Sequence, residues 1–146
     1  MARKAFSTAI SHARFVVGPF SSDAMATLAG ILRDSMRERI GKAMNANDQV
    51  SKSLSPSYAK RKVTKGKNPV RDWNMSGNTL RSMAVLTANE NRAVIGFNNP
   101  IAGRIAHFNQ LRERAFSVSP MDRRTLVAAV NATARQVKVV TVRKVA

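Results

Sequence analysis

The chain has no cysteine, and that absence excludes several chemistries at once. No disulfide can brace the fold, no thiolate can act as a nucleophile, and no zinc can be held by cysteine. Acids are scarce too: eight Asp and Glu stand against 25 Lys and Arg. A nuclease-type metal centre needs converging carboxylates, and neither Asp72 nor Glu90-Asn91-Arg92 has a second acid beside it. The two histidines, His12 and His107, have no obvious acid partner, so no Ser/His/Asp arrangement is readable. The expectation is a protein that is not an enzyme, with no catalytic residues, no cofactor and no metal. Aromatic residues make up only 5% of the chain, and no RNA-module signature such as GXXG is present. No run of about 18 apolar residues occurs, so no membrane span and no membrane partner are expected.

What is present is positive charge. The 146 residues suit one domain and carry a formal net charge of +17. Such an excess calls for an acidic partner: nucleic acid, anionic lipid or an acidic protein surface. Its distribution is uneven. From Ser22 to Val50 acids and bases nearly balance, whereas 52–71 holds seven bases and no acid until Asp72. Those seven, Lys52, Lys60, Arg61, Lys62, Lys65, Lys67 and Arg71, are the candidate contacts to nucleic acid or to an acidic partner. Arg135 to Ala146 adds four more.

Residues 1–20 read as an N-terminal arm anchored by Phe6, Ile10, Phe15, Val16 and Val17, forming a strand or docking on a neighbouring subunit. Their Arg- and Ser-containing, acid-free composition also overlaps with a mitochondrial presequence, while His12 and Arg14 interrupt any secretory core. A single α+β domain is expected over 21–136. Ser21 and Ser22 before Asp23 form a helix start. Met25, Leu28, Ala29, Leu32, Met36, Ile40, Ala43 and Met44 make one apolar stripe, so a helix is predicted to about Asn45. Asp34 and Glu38 lie one turn apart beside Arg37 and Arg39, the pattern of a salt-bridged solvent face. Ser55-Pro56 opens a short helix over 57–62, and Lys60 to Lys67 is expected as a mobile basic loop, within a basic segment spanning 52–71. Tyr58 and Trp73 flank it; bases can stack on such residues, but core anchoring is the favoured reading.

Ser76-Gly77 starts a brief helical turn with Leu80 facing inward. Met83 to Ala88 and Arg92 to Phe97 form a hairpin around Asn89-Glu90-Asn91, with Leu86, Val94, Ile95 and Phe97 as its apolar load. Pro100 begins a helix whose Ile101, Ile105 and Phe108 share one face, with Ala102 and Ala106 beside them. Phe116 and Val118 are extended. Ser119-Pro120-Met121-Asp122 carries the marks of a capping box, opening a helix to about Arg135 that buries Leu126, Val127, Val130 and Ala134. Residues 137–145 alternate β-branched residues with Lys in part and read as a final strand or an arm, lying within a C-terminal segment 137–146. The architecture expected is therefore a long N-terminal helix and a C-terminal helix packed on a small antiparallel sheet, with extended terminal arms.

The order of these pieces resembles the tail-completion, or virion morphogenesis, proteins of tailed bacteriophages. Ser76, Gly77, Leu80 and Ser82 match that family's first block. Ala102, Ile105, Ala106 and His107 match its second. Phe116, Ser119 and Asp122 match its third. Ala115 stands where the family has Pro, Val118 where it has Gly, and the glycine usual after His107 is missing. The likeness spans about residues 25–135. It implies a structural protein of the phage neck, a homo-oligomeric ring between head portal or adaptor and tail tube or tail terminator, in the virion and, during assembly, in the host cytoplasm. Genomic DNA would pass through the middle, with non-specific contact to the basic segment; an acidic rim on a neighbouring protein is the other partner considered. His107 is expected at a packing joint rather than on a metal. A ribosomal or other RNA-binding protein is the alternative that size and charge also suit.

Overall fold

A computed structural model of the protein describes residues 20–73 and 76–143, with 135–143 described by backbone alone. The N-terminal arm anchors Phe6 to Val17 lie outside the described residues. The elements run α1 (Ser22–Gly41), α2 (Pro56–Thr64), α3 (Asn78–Arg81), β1 (Met83–Asn89), β2 (Arg92–Phe97), α4 (Pro100–Arg112) and α5 (Pro120–Arg143). This is the expected α+β arrangement of helices with a small antiparallel sheet.

The first helix is specified by its sequence. Ser21 Oγ accepts a hydrogen bond from the Ala24 amide at 3.2 Å, and Asp23 places an anion in the first turn. Met25, Leu28, Ala29, Leu32, Met36 and Ile40 recur at helical spacing, and all are buried. This stripe packs on both strands and on α5. The helix ends at Gly41, earlier than the expected Asn45. Ala43 turns the chain with a φ of 58°, and the Asn45 side chain accepts from the Asn47 and Gln49 amides. An Asx-type turn outcompetes one more helical turn there.

β1 and β2 pair antiparallel from Met83↔Phe97 to Asn89↔Arg92, with an irregularity between Val85 and Thr87. That irregularity moves Leu86 off the core. It is 48% exposed, and its Cδ1 lies so close to Gly96 that a Cβ there would meet it at 2.6 Å. Of the expected apolar load, Ile95 and Phe97 pack on the core, and Val85 joins them where Leu86 and Val94 do not. Phe116 is the aromatic hub, with Trp73 and Phe97 each at 5.6 Å between ring centroids.

Two side chains organise the join between α1 and α5. Arg39, expected on the salt-bridged solvent face, is buried. Its Nε donates to Asp122 Oδ2 at 2.8 Å, and its two terminal nitrogens reach the carbonyls of Met44, Ala115 and Ser117. Asp122 also accepts from Ser35 Oγ at 2.7 Å and from the Ser119 amide at 3.0 Å. The Asp122 amide in turn donates to Ser119 Oγ, so the expected capping box is formed. The solvent face of α1 keeps its other pairs: Asp34 with Arg33 and Arg37, and Glu38 with Lys42.

The last helix overruns its expected end. It continues through Arg135 to Arg143, so 137–143 is helical and not a strand. No Gly or Pro follows Pro120 to stop it, and each added residue gains one more backbone hydrogen bond. Val127, expected in the core, is 52% exposed; Leu126 is buried and Val130 packs at the core margin.

A second tie comes from Asp48, whose Oδ2 accepts from the Met121 amide at 2.9 Å at the start of α5. Burial acts to raise the Asp48 pKa. Hydrogen bonds from Ser119 and Met121 and the charges of Arg39 and Arg124 outweigh it, and the net direction is down. A depressed folded value means the stability Asp48 contributes is present above the ordinary carboxylate range and is lost as pH falls through the folded value. Asp48→Asn should therefore lower the melting temperature at neutral pH, and the gap from the parent should close below about pH 4. Asp122→Ala strands a buried guanidinium and should cost ~3–5 kcal/mol in chemical denaturation. The double replacement Arg39→Met with Asp122→Leu should cost less than the two single losses added together.

Candidate functional site

Part of the basic segment is helix where a loop is expected. Ser55-Pro56 starts α2 as expected, but the helix extends to Thr64 and takes Lys60, Arg61 and Lys62 with it. Gly66, at a φ of 65°, stops it, with the Gly66 and Lys67 amides bonded back to the Val63 and Lys62 carbonyls. A helix fixes which way each cation points. Lys60 and Arg61 face solvent, as do Lys65 and Lys67 beyond the helix end and Lys52 before it.

Two of the seven predicted contacts are spent inside the protein. Lys62 is 1% exposed, and its Nζ donates to Asp72 Oδ1 and to the Val70 carbonyl. Its contact with Asp72 closes the loop after α2 onto the helix. The same pair engages Asp72 Oδ1, and Glu90 lies exposed in the hairpin turn. Among the described residues, no three His, Asp or Glu side chains come together to hold a metal ion. Arg71 is only partly exposed. It donates to the Lys52 and Ser53 carbonyls, lies 3.3 Å from Glu113 Oε2, and covers the Trp73 ring at 5.7 Å. Lys52, Lys60, Arg61, Lys65 and Lys67 remain as the exposed set.

The motif residues act mainly on the fold. Ser76 Oγ accepts from the Asn78 amide at 3.3 Å, and Gly77, left-handed at a φ of 74°, forms the cap of α3. Leu80 packs on the core, while Ser82 Oγ donates to the Thr79 carbonyl at 2.9 Å. Ala106, Phe116, Ser119 and Asp122 are buried. His107 is the exception: it is exposed, with its ring edge-on to Phe108 at 6.0 Å.

The orientation of α4, which the sequence pattern leaves open, is set by packing. Asn99 caps the helix, accepting from the Ile101 and Ala102 amides, and Pro100 occupies the first turn as expected. The face turned inward is Ala102, Gly103 and Ala106. Small residues three and four apart let the helix backbone approach the core closely. Ile101, Ile105, Phe108 and the unanticipated Leu111 then point outward, at 60%, 44%, 64% and 73% exposure. Four large apolar side chains on one short helix make a patch of the kind that marks an interface.

Tyr58, expected as a core anchor, stands at the surface with the Arg61 guanidinium 6.0 Å from its ring. Trp73 does anchor, against Phe116. Both line a cavity of about 480 Å³ that lies between α2 and α4. A second cationic surface has no signal in the local sequence: Arg114, Arg123 and Arg124, all exposed, line a groove with Asn47 near the start of α5. Arg114 is tied there through its carbonyl, which accepts from the Ala46 amide of the α1–α2 turn.

Replacing Lys60, Lys65 and Lys67 by Gln should leave the melting temperature nearly unchanged. It should flatten the salt dependence of duplex DNA binding by up to about 0.9 for each phosphate that is no longer neutralised. Lys62→Ala should do the reverse, costing ~3–5 kcal/mol of stability through its buried partner with little change in that slope.

No family model, no curated protein and no solved structure matches this chain.

Proposed function

We propose that the protein is a structural subunit of the tailed-phage neck, assembling as a ring that joins the head portal or adaptor to the tail tube or tail terminator. The observation that carries this reading is the row Ile101, Ile105, Phe108 and Leu111 on the outside of α4. A strongly cationic chain that exposes four large apolar side chains on one helix is made to be covered. The motif likeness points the same way, because its buried residues hold caps and core, as the framework of an assembly part would.

In this mechanism the protein works mechanically and electrostatically. Subunits associate through the apolar face, and each copy contributes Lys52, Lys60, Arg61, Lys65 and Lys67 to a repeated cationic surface. Such a surface holds phosphates of passing DNA without reading sequence. An acidic rim on the next neck protein would meet it by the same charge. Copies at +17 repel one another, so a ring needs screening by salt or neutralisation by a polyanion.

Light scattering and negative-stain imaging test this directly. Rings should grow more abundant with added salt or short duplex DNA. Ile101→Ser with Phe108→Ser should abolish them while changing stability by no more than about 0.5 kcal/mol, since both sites are exposed. A protein that stays monomeric under all these conditions and binds RNA with a steep salt slope would instead support the RNA-binding reading. Purified virions that lack the polypeptide would end the neck assignment.

A further inference from the structure

We propose that the cavity between α2 and α4 is a docking pocket for a partner-protein segment that carries both carboxylates and aliphatic side chains. The walls set this chemistry. Leu54, Tyr58, Val70, Trp73 and Ile105 supply apolar surface, Arg71 and Arg112 supply charge, and no Asp or Glu among the described residues lines the cavity. A volume of about 480 Å³ holds a few side chains, not a folded domain.

Two donors are waiting for an acceptor. The Trp73 indole Nε1–H is buried and has no hydrogen-bond partner. Buried N–H groups are almost always paired, so an orphan on a residue that lines the cavity is a standing cost, which an oxygen admitted by a small shift of the ring would relieve. Arg112 is exposed in the last turn of α4, and its guanidinium has no hydrogen-bond or ion-pair partner among the described residues. Carboxylate binding to an indole N–H and a free guanidinium is a charge-assisted arrangement.

The shape of the surface favours protein over nucleic acid. A base would need an open aromatic face, yet the Trp73 ring already packs on Phe116 and carries the Arg71 guanidinium, and Tyr58 has Arg61 beside its ring. What is open is aliphatic wall. Through Ile105 that wall runs on into the exposed Ile101, Phe108 and Leu111 of α4. An extended segment could fill the pocket with a leucine-like side chain and lie across α4. A second copy of this chain is a poor occupant, because both copies are strongly cationic, its exposed Asp34 and Glu38 are already paired with Arg33, Arg37 and Lys42, and its other exposed acids, Asp23 and Glu90, each stand with no second acid in their own segment.

Trp73 is the only tryptophan in the chain, so its fluorescence reports on this pocket alone. The full-length protein would be titrated with four probes: a blocked decapeptide of alternating glutamate and leucine, the same peptide with glutamine for glutamate, the same with serine for leucine, and a ten-nucleotide thymidylate. The expected result is a saturable change in Trp73 emission with the first peptide only, weakened by salt. Arg112→Ala should weaken it about tenfold, the loss of one charge-assisted hydrogen bond. Ile105→Ser should weaken it as well, and both variants should keep the parental circular dichroism spectrum because both side chains are exposed. Equal binding of the glutamine peptide, equal binding of the serine peptide, a response to thymidylate alone, or no response to any probe would each overturn the proposal. Because a ring built through the α4 row would cover Ile105, the titration is made on protein shown by light scattering to be monomeric, so its outcome does not depend on whether rings form under other conditions.

Discussion

The contact between Arg39 and Asp122 is where the two ends of this fold become one object. Arg39 sits near the end of α1 and Asp122 in the first turn of α5, 83 residues apart. Either residue alone would be an expensive burial. Together with Ser35, Ser119 and the carbonyls of Met44, Ala115 and Ser117, they satisfy each other and the polar backbone around them. The carboxylate does two jobs at once. It closes the capping box of α5 and holds α1 against that helix start, so the direction of the last helix follows from the first. Replacing such a pair by apolar residues can leave stability intact. The polar version adds orientation: Arg39 can reach three carbonyls in the 44–117 region only if the 115–117 stretch lies across the end of α1.

The same economy of burial explains the surface. The core takes its bulk from α1, from Met83 and Phe97 of the hairpin, and from Phe116. Little room is left for α4, which therefore presents Ala102, Gly103 and Ala106 to it. Once the small residues face inward, helical geometry forces positions 101, 105, 108 and 111 outward. The exposed apolar row is thus a consequence of close packing on the opposite side of one helix. It would remain an idle liability in a monomer; under the proposed assembly it is the contact surface.

Much of the framework is legible in the chain because its signals are local. The Ser21 cap and the α1 stripe, the Asn89-Glu90-Asn91 turn, Asn99-Pro100 and Ser119-x-x-Asp122 each work over a few residues, and each element begins where they stand. The departures have a common cause. Arg39 and Lys62 look like surface cations until their partners Asp122 and Asp72 are in place, and nothing nearby in the sequence announces either pairing. On α4, Ile101, Ile105 and Phe108 form the more hydrophobic face, and hydrophobicity alone puts that face inside; packing distance, which rewards Ala and Gly, decides otherwise. Tyr58 and Leu86 depart for a similar reason, being apolar residues at positions that geometry turns to solvent. Of the predicted polyanion contacts, those without an internal partner stay exposed and those with one do not.

Internal pairing also sharpens the charge that is left. Asp72, Glu113 and Asp122 are buried, and each faces a base: Lys62, Arg71 and Arg39. Each such pair removes one acid and one base, so the net charge is unaltered while the number of surface acids falls. Those that remain exposed or half-exposed are elsewhere. Asp23 is in the first turn of α1, Asp34 and Glu38 are neutralised farther along it, Asp48 is bound to the start of α5, and Glu90 is at the hairpin tip. Lys60, Arg61, Lys65 and Lys67 consequently stand on α2 and its exit with no acid paired to them among the described residues, and held by a helix and a glycine cap instead of a free loop. Potentials from like charges add when their separations are fixed within a Debye length. Converting half of a loop into helix thus strengthens the field this surface presents, even though it withdraws Lys62 from it.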